Sequence, residues 1–171
     1  DATTAVAAAG GPADRYVSRV FASPHDAGSA FVAKNGFRND DFRPFLVKTT
    51  DFGKTWTSIA ANLPASPINV VVQDRRNADL LIVGNDLGVW ISLNGGGAWT
   101  GLKANLPTVA VHDLTVHPRE NDLVLGTYGR GLFVGDVTHL QQLTPAVVQS
   151  PLHVFDIGPR TAYQFPALGN F

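Results

Sequence analysis

The residues best equipped for chemistry are charged and aromatic side chains gathered in turns. Arg38-Asn39-Asp40-Asp41-Phe42-Arg43 puts two carboxylates between two guanidiniums. Asp40 and Asp41 are adjacent, so on an extended segment they point to opposite sides and make a poor acid–base pair. The loop therefore reads first as internal ion pairs and turn hydrogen bonds, and second as a binding loop built on Arg38, Asp40, Asp41 and Arg43. Tyr128 and Arg130 flank Gly129 between two apolar runs. A tight hairpin is the plain reading there, and a ligand contact is the other.

Glu120 is the only glutamate, in the turn Pro118-Arg119-Glu120-Asn121. A carbohydrate-cleaving site needs two carboxyl groups about 5–9.5 Å apart, and a lone glutamate leaves only aspartates to supply them. His25, His112, His117, His139 and His153 show no metal-ligand spacing. Asn39-Asp40-Asp41 lacks the spacing of a calcium loop. Gly95-Gly96-Gly97 has neither the strand-to-helix setting nor the lysine of a phosphate loop. Cysteine is absent, which removes disulfides, thiolate zinc sites and cysteine nucleophiles. No catalytic, cofactor-binding or metal-binding residue is assigned.

The most informative pattern does structural work. In Thr49-Thr50-Asp51-Phe52-Gly53-Lys54-Thr55-Trp56 a carboxylate precedes a glycine, a threonine and a tryptophan at fixed intervals. Asp51 has the reach to accept from backbone N–H groups just downstream and close a turn. Gly53 provides the positive-φ residue such a hairpin requires. Trp56 offers a large apolar plate to bury between sheets. A degenerate copy, Ser92-Leu93-Asn94-Gly95-Gly96-Gly97-Ala98-Trp99, stands 43 residues further on, with Asn94 for the aspartate. The structural positions are thus Thr49, Asp51, Gly53, Thr55 and Trp56, then Ser92, Asn94, Gly96 and Trp99.

These turns need strands on either side, and the chain supplies them. From Tyr16 onward short apolar runs alternate with turn residues, as in an all-β sandwich, barrel or propeller. The 43-residue spacing falls within the ~40–50 residues of a propeller blade. Asn62-Leu63-Pro64 and Asn105-Leu106-Pro107 follow the two tryptophans at the same interval, and Gly88-Val89-Trp90-Ile91 matches Gly131-Leu132-Phe133-Val134. The expectation is an all-β partial β-propeller of three four-stranded antiparallel blades, followed by an irregular C-terminal tail.

Residues 1–15 read as an Ala/Gly-rich arm or linker, with a short helix through Ala5–Ala9 as the competitor. Blades cover 16–62, 63–106 and 107–143, and an extended tail covers 144–171. The third blade has lost the turn motif, and its fourth strand, near Leu140–Leu143, is poor. The apolar tail is expected to lie along a surface. Val70-Val71-Val72 and Leu80-Leu81-Ile82-Val83 lack polar alternation, which suits strands covered on both faces. Three blades leave an open wedge, expected to expose Val17, Val20 and Phe21 at one end and Leu123, Leu125 and Phe133 at the other.

The 171 residues are 44% hydrophobic, enough for a core, and only 16% charged, below the ~25% usual for soluble domains. A net charge of −1 gives no electrostatic case for nucleic acid. No apolar run approaches the ~20 residues of a membrane span. The start, without Met or a signal-peptide core, looks processed or truncated.

The pattern S/T-x-D-x-G-x-T-W resembles the Asp-box of BNR-repeat proteins. With Phe37–Pro44, Val111–Pro118 and Gly129-Arg130-Gly131, residues from about Arg15 to Pro145 resemble the late blades of sortilin-type bacterial propellers, often labelled glycosyl-hydrolase-like. The resemblance implies a bacterial, periplasmic or secreted protein. Sialidase-type chemistry would require an arginine cluster and a tyrosine–glutamate pair that this chain does not offer. The function expected is a non-catalytic interaction or structural module: an extracytoplasmic scaffold or accessory subunit on a larger assembly, membrane-associated ones included. The alternative is a fragment of a longer secreted BNR-repeat glycoside hydrolase whose catalytic residues lie in missing blades. The implied partner is another protein or those blades, carbohydrate has no residue-level support, and no cofactor is called for.

Overall fold

The computed structural model describes residues 1–103 and 105–155. A short helix, α1 (Thr3–Ala8), precedes three antiparallel sheets. The first sheet comprises β1 (Tyr16–Ala22), β2 (Ala30–Gly36), β3 (Asp41–Thr49) and β4 (Thr57–Ser58). The second comprises β5 (Ile68–Gln73), β6 (Leu81–Asn85), β7 (Gly88–Ser92) and β8 (Thr100–Gly101). β9 (Val111–Val116), β10 (Asp122–Thr127) and β11 (Leu132–Asp136) form the third, before α2 (Thr138–Gln141) and α3 (Pro145–Gln149). In every sheet spatial order follows chain order. The first strands β1, β5 and β9 lie side by side from one sheet to the next, and the outer strands splay apart. These are the blades of a partial β-propeller.

Two apolar clusters join the blades. Phe31, Ala33 and Leu46 of the first meet Val71, Leu81, Val83 and Trp99 of the second. Val70, Val72, Ile82, Val89 and Ile91 of the second meet Val111, Leu114, Leu123 and Leu125 of the third. The middle blade is therefore apolar on both faces, which is why β5 and β6 carry unbroken apolar runs. Gly84 is required at the second joint: a Cβ there would lie 2.7 Å from Val70 Cγ1 and 2.8 Å from Val111 Cγ1.

Four expectations need correction. The Ala/Gly-rich arm contains a docked helix: Asp1 Oδ1 accepts from the Thr3 amide at 2.9 Å, and Gly10 takes φ +98° to end it. Its Val6 is buried against Val32 and Val47. The fourth strand sought near Leu140–Leu143 is instead occupied by α2, leaving three strands among the described residues of the third blade. Without the turn motif after β11 the chain does not fold back. The Asp136 carboxylate accepts from the Thr138 amide at 2.7 Å, and Gln141 Nε2 donates to Asp74 at 2.7 Å, fixing α2 beside the second blade. The tail opens with α3, whose N-cap Thr144 accepts from Val147, and exposes Leu152 and Val154. Ile157, Tyr163 and Phe165 lie outside the described residues.

The exposed wedge faces are also partly reversed. Val17 and Val20 are exposed as expected, but Phe21 packs inward. At the other end Leu123 and Leu125 are buried and Phe133 packs against the core, while Leu132 and Val134 face outward. A period of two separates a strand into two sets without saying which set meets the neighbour.

Candidate functional site

The two motif turns have matching hydrogen bonds. Thr49 Oγ1 donates to Asp51 Oδ1 at 2.8 Å and accepts from Gly53 N at 3.0 Å. Asp51 accepts from the Thr55 amide at 2.9 Å and the Thr55 hydroxyl at 2.6 Å. Those bonds, led by the Thr55 hydroxyl, lower its pKa to about 2. Phe52 and Gly53 both have positive φ, 61° and 81°. The second turn repeats the frame: Ser92 Oγ donates to Asn94 at 2.9 Å and accepts from Gly96 N at 2.9 Å, and Asn94 accepts from Ala98 N at 2.9 Å.

The tryptophans differ. Trp99 is 3% exposed, and its Nε1 donates to Ile59 O across the blade joint at 2.8 Å. Trp56 donates to Gly53 O at 3.1 Å and lies half-buried on the opposite side of the first blade. Its neighbours there are Val6, Val32 and Val47.

In the Arg38–Arg43 loop the two aspartates part company. Asp40 ends a short 3₁₀ turn in the left-handed region and is exposed. Asp41 is buried, and its carboxylate accepts from Arg43 Nε and Nη2 at 2.9 and 2.8 Å and from Arg15 Nη2 at 3.1 Å. The Arg43 guanidinium, with help from Arg15, holds it far below the usual carboxylate range. Asp41 is thus a fixed anion, unsuited to donating a proton. Arg43 also sits 5.2 Å from the Phe45 ring centroid.

Arg38 leaves this loop for a different setting. It lines a cleft of about 690 Å3 at one end of the three blades, with Tyr16, Asn35, Phe37, Asn69, Asp86, His112 and Tyr128. Asn69 is the knot of its floor. Its carbonyl accepts from Asn35 Nδ2 of the first blade at 2.8 Å. Its own Nδ2 donates to Asp86 Oδ1 at 2.8 Å and to Val111 O of the third blade at 3.2 Å. One amide therefore ties all three blades. The walls are aromatic: Tyr16, Phe37 and Tyr128 are exposed, and Tyr128 stacks on His112 with centroids 5.3 Å apart.

The cleft brings together Arg38 and Tyr128, leaves Asp41 and Arg43 in their own ion-pair cluster, and has Arg130 exposed beyond the Tyr128 turn. Tyr16, Asn35, Asn69, Asp86 and His112 were not singled out from sequence as one site. They share a signal nonetheless, because each stands at or beside the same end of a strand in successive repeats. Elsewhere, His117 Nδ1 accepts from the Glu120 amide at 3.2 Å, and Glu120 pairs with Arg119 at 2.5 Å. His25 Nε2 lies 2.7 Å from Asp74 O, and Phe155 lies between His139 and His153. Among the described residues no group of three or more metal-ligating side chains is gathered, and no helix is long and apolar enough to cross a membrane.

No family model matches the chain, and no curated protein does. Solved structures do. An ancestral GH74 enzyme superposes with a TM-score of 0.55 at 20% identity over 68% of this chain. GH74 from Niastella koreensis gives 0.55 at 18% over 70%. The GH74 xyloglucanase of Xanthomonas campestris gives 0.51 at 16% over 64%. YCF48 bound to D1 peptide gives 0.52 at 14% over 74%. The chain spans 14%, 21%, 18% and 38% of those four chains in turn. At such identities the likeness shows the propeller fold alone.

Proposed function

We propose that this chain is a non-catalytic interaction module, a segment of an Asp-box, sortilin-type propeller that works outside the cytoplasm of a bacterium as a scaffold on a larger assembly. The observation carrying this reading is the make-up of the cleft. Its floor amides are consumed in joining blades, and Asp86 already accepts from Asn69. What the cleft offers outward is ring surface, hydroxyls and a guanidinium: a contact set for a partner's loop rather than an acid–base pair. The peptide held by YCF48 supports a propeller of similar fold in that role.

The second reading, a piece of a longer secreted glycoside hydrolase, draws support from the three GH74 likenesses. Its catalytic groups would lie in blades outside this chain. The test has two arms. A photo-crosslinking phenylalanine at Tyr128 in the native assembly is expected to give one discrete protein adduct, lost on Arg38→Ala and absent with the probe at Lys54. The purified chain is expected to leave xyloglucan, β-glucans and sialosides uncleaved. Turnover abolished by Asp40→Asn or Asp41→Asn would overturn the non-catalytic reading and place catalytic groups within this chain.

A further inference from the structure

Strand pairing shows one irregularity repeated in all three blades. In β1 the register skips Ser18, with Val17 opposite Lys34 and Arg19 opposite Ala33. In β5 it skips Asn69, between Ile68 opposite Asn85 and Val70 opposite Gly84. In β9 it skips His112, between Val111 opposite Thr127 and Asp113 opposite Gly126. The first strand of each blade thus carries a β-bulge at the same level, and a bulge re-aims the side chain of its extra residue. All three of these side chains line the cleft.

Two of the three are spent on the next blade. Ser18 Oγ donates to Ile68 O at 2.7 Å, and Asn69 Nδ2 donates to Val111 O at 3.2 Å. In both cases the acceptor is the residue just before the neighbour's bulge. His112 differs. It is exposed, stacks on Tyr128, and forms no hydrogen bond with another described residue, so its ring N–H is open. Arg38 is open as well. Arg15, Arg19 and Arg43 of the same blade each pair with a carboxylate, whereas Arg38 pairs with none among the described residues. Of the described residues lining the cleft it is the one arginine or lysine, and the one carboxylate there, Asp86, is held by Asn69.

We propose that the cleft takes an acidic peptide segment of a partner, its side-chain carboxylates received by the two open donors, Arg38 and His112. A guanidinium meets a carboxylate through two parallel N–H groups, a strong and directional pairing. The imidazole donates from whichever ring nitrogen carries the proton. Because Arg38 belongs to the first blade and His112 to the third, the segment is held across the cleft rather than along one blade. The exposed rings of Tyr16, Phe37 and Tyr128 take the flanking side chains, as aromatic anchors do at interfaces. A neutral or basic segment leaves the Arg38 charge desolvated with no partner, which is costly and gives the cleft its discrimination. The inference rests on the contact-site reading of the cleft and names the chemistry of what that site receives.

Selection of a random peptide display library on the immobilised full chain tests it, with circular dichroism checking that each variant retains its sheets. Peptides that bind the wild type and are lost on Tyr128→Ala define the cleft binders. These are expected to be enriched in aspartate and glutamate over the starting library. Remade as free peptides with both ends blocked, they should bind Arg38→Ala at least about tenfold more weakly, the usual effect of losing a hydrogen bond to a charged group. They should weaken as much when their own acids are changed to the corresponding amides. His112→Phe keeps a ring against Tyr128 and removes the donor, and a loss of about threefold or more is expected there. Arg38→Glu is expected to turn the enrichment to lysine and arginine, which a merely structural role for Arg38 could not do. Lys54→Glu makes the same change of net charge outside the cleft and should keep the acidic preference; a reversal there would trace the preference to net charge and sink the proposal. Cleft binders without acidic enrichment, or an enrichment that Arg38→Glu fails to reverse, would overturn it while the contact-site reading stands. The absence of any binder that depends on Tyr128 would overturn that reading too.

Discussion

Trp56 and Trp99 hold the same place in the repeat and very different places in the energetics. Trp99 fills a joint between two blades and hydrogen-bonds across it. Trp99→Ala is expected to lose about 3–5 kcal/mol by chemical denaturation, the usual result of emptying a large core site. Trp56 rests on the outer face beside α1, so Trp56→Ala should lose less, about 1–2 kcal/mol, because less surface leaves water there. Asp51 and Asn94 form a similar natural contrast. Asp51 has its pKa lowered to about 2 from 3.8, chiefly by the Thr55 hydroxyl and amide. A depressed carboxylate stabilises the fold above its unfolded pKa and loses that contribution as pH falls through the folded value. Melting temperature should therefore drop as pH goes from about 4 toward 2. Asp51→Asn, which copies the second turn, should flatten that part of the profile while keeping the hairpin. An unchanged profile would place the acid sensitivity elsewhere, with Asp41 the next group to examine.

The strand-and-turn plan was legible because its causes are local. Asp51 and Gly53 set a turn, and the apolar runs on either side have no option but a covered strand. The fourth strand of the third blade was misjudged for a nonlocal reason: α2 is fixed by Gln141 reaching Asp74, 67 residues away in the chain. The cleft was overlooked on similar grounds, since Asn35, Asn69 and Val111 become one network only after the blades stack. Gly84 marks where stacking is tightest. A methyl there meets Val70 of its own blade and Val111 of the third, so Gly84→Ala is expected to lose about 1–3 kcal/mol by overpacking. Gly135, which has open space around it, is the control position and should tolerate alanine far better.

Taken as a molecule, the chain is a short stack in which the main apolar joints lie between neighbouring blades, with the first and third linked directly by the ion pair of Arg19 and Asp113, and stability in such stacks is shared through the joints. The middle blade has two joints and the outer blades one each. Hydrogen exchange is expected to be slowest at Val70–Val72 and faster through β11, whose side chains are largely exposed. Equal protection across all three blades would argue for a single indivisible unit. Asn69→Ala removes the amide common to the three blades and should cost about 1–3 kcal/mol for the groups left unpaired. Its exchange signature is distinctive: amides at the cleft end of β1, β5 and β9 should speed up together. The same meander connectivity bears on synthesis. Each sheet pairs only strands that follow one another in the chain, so a blade has all its hydrogen-bonding partners once its own ~40 residues have been made. The first two blades and the Trp99 joint can assemble while the third is still being translated, and the growing protein need not wait for its C-terminus to begin folding.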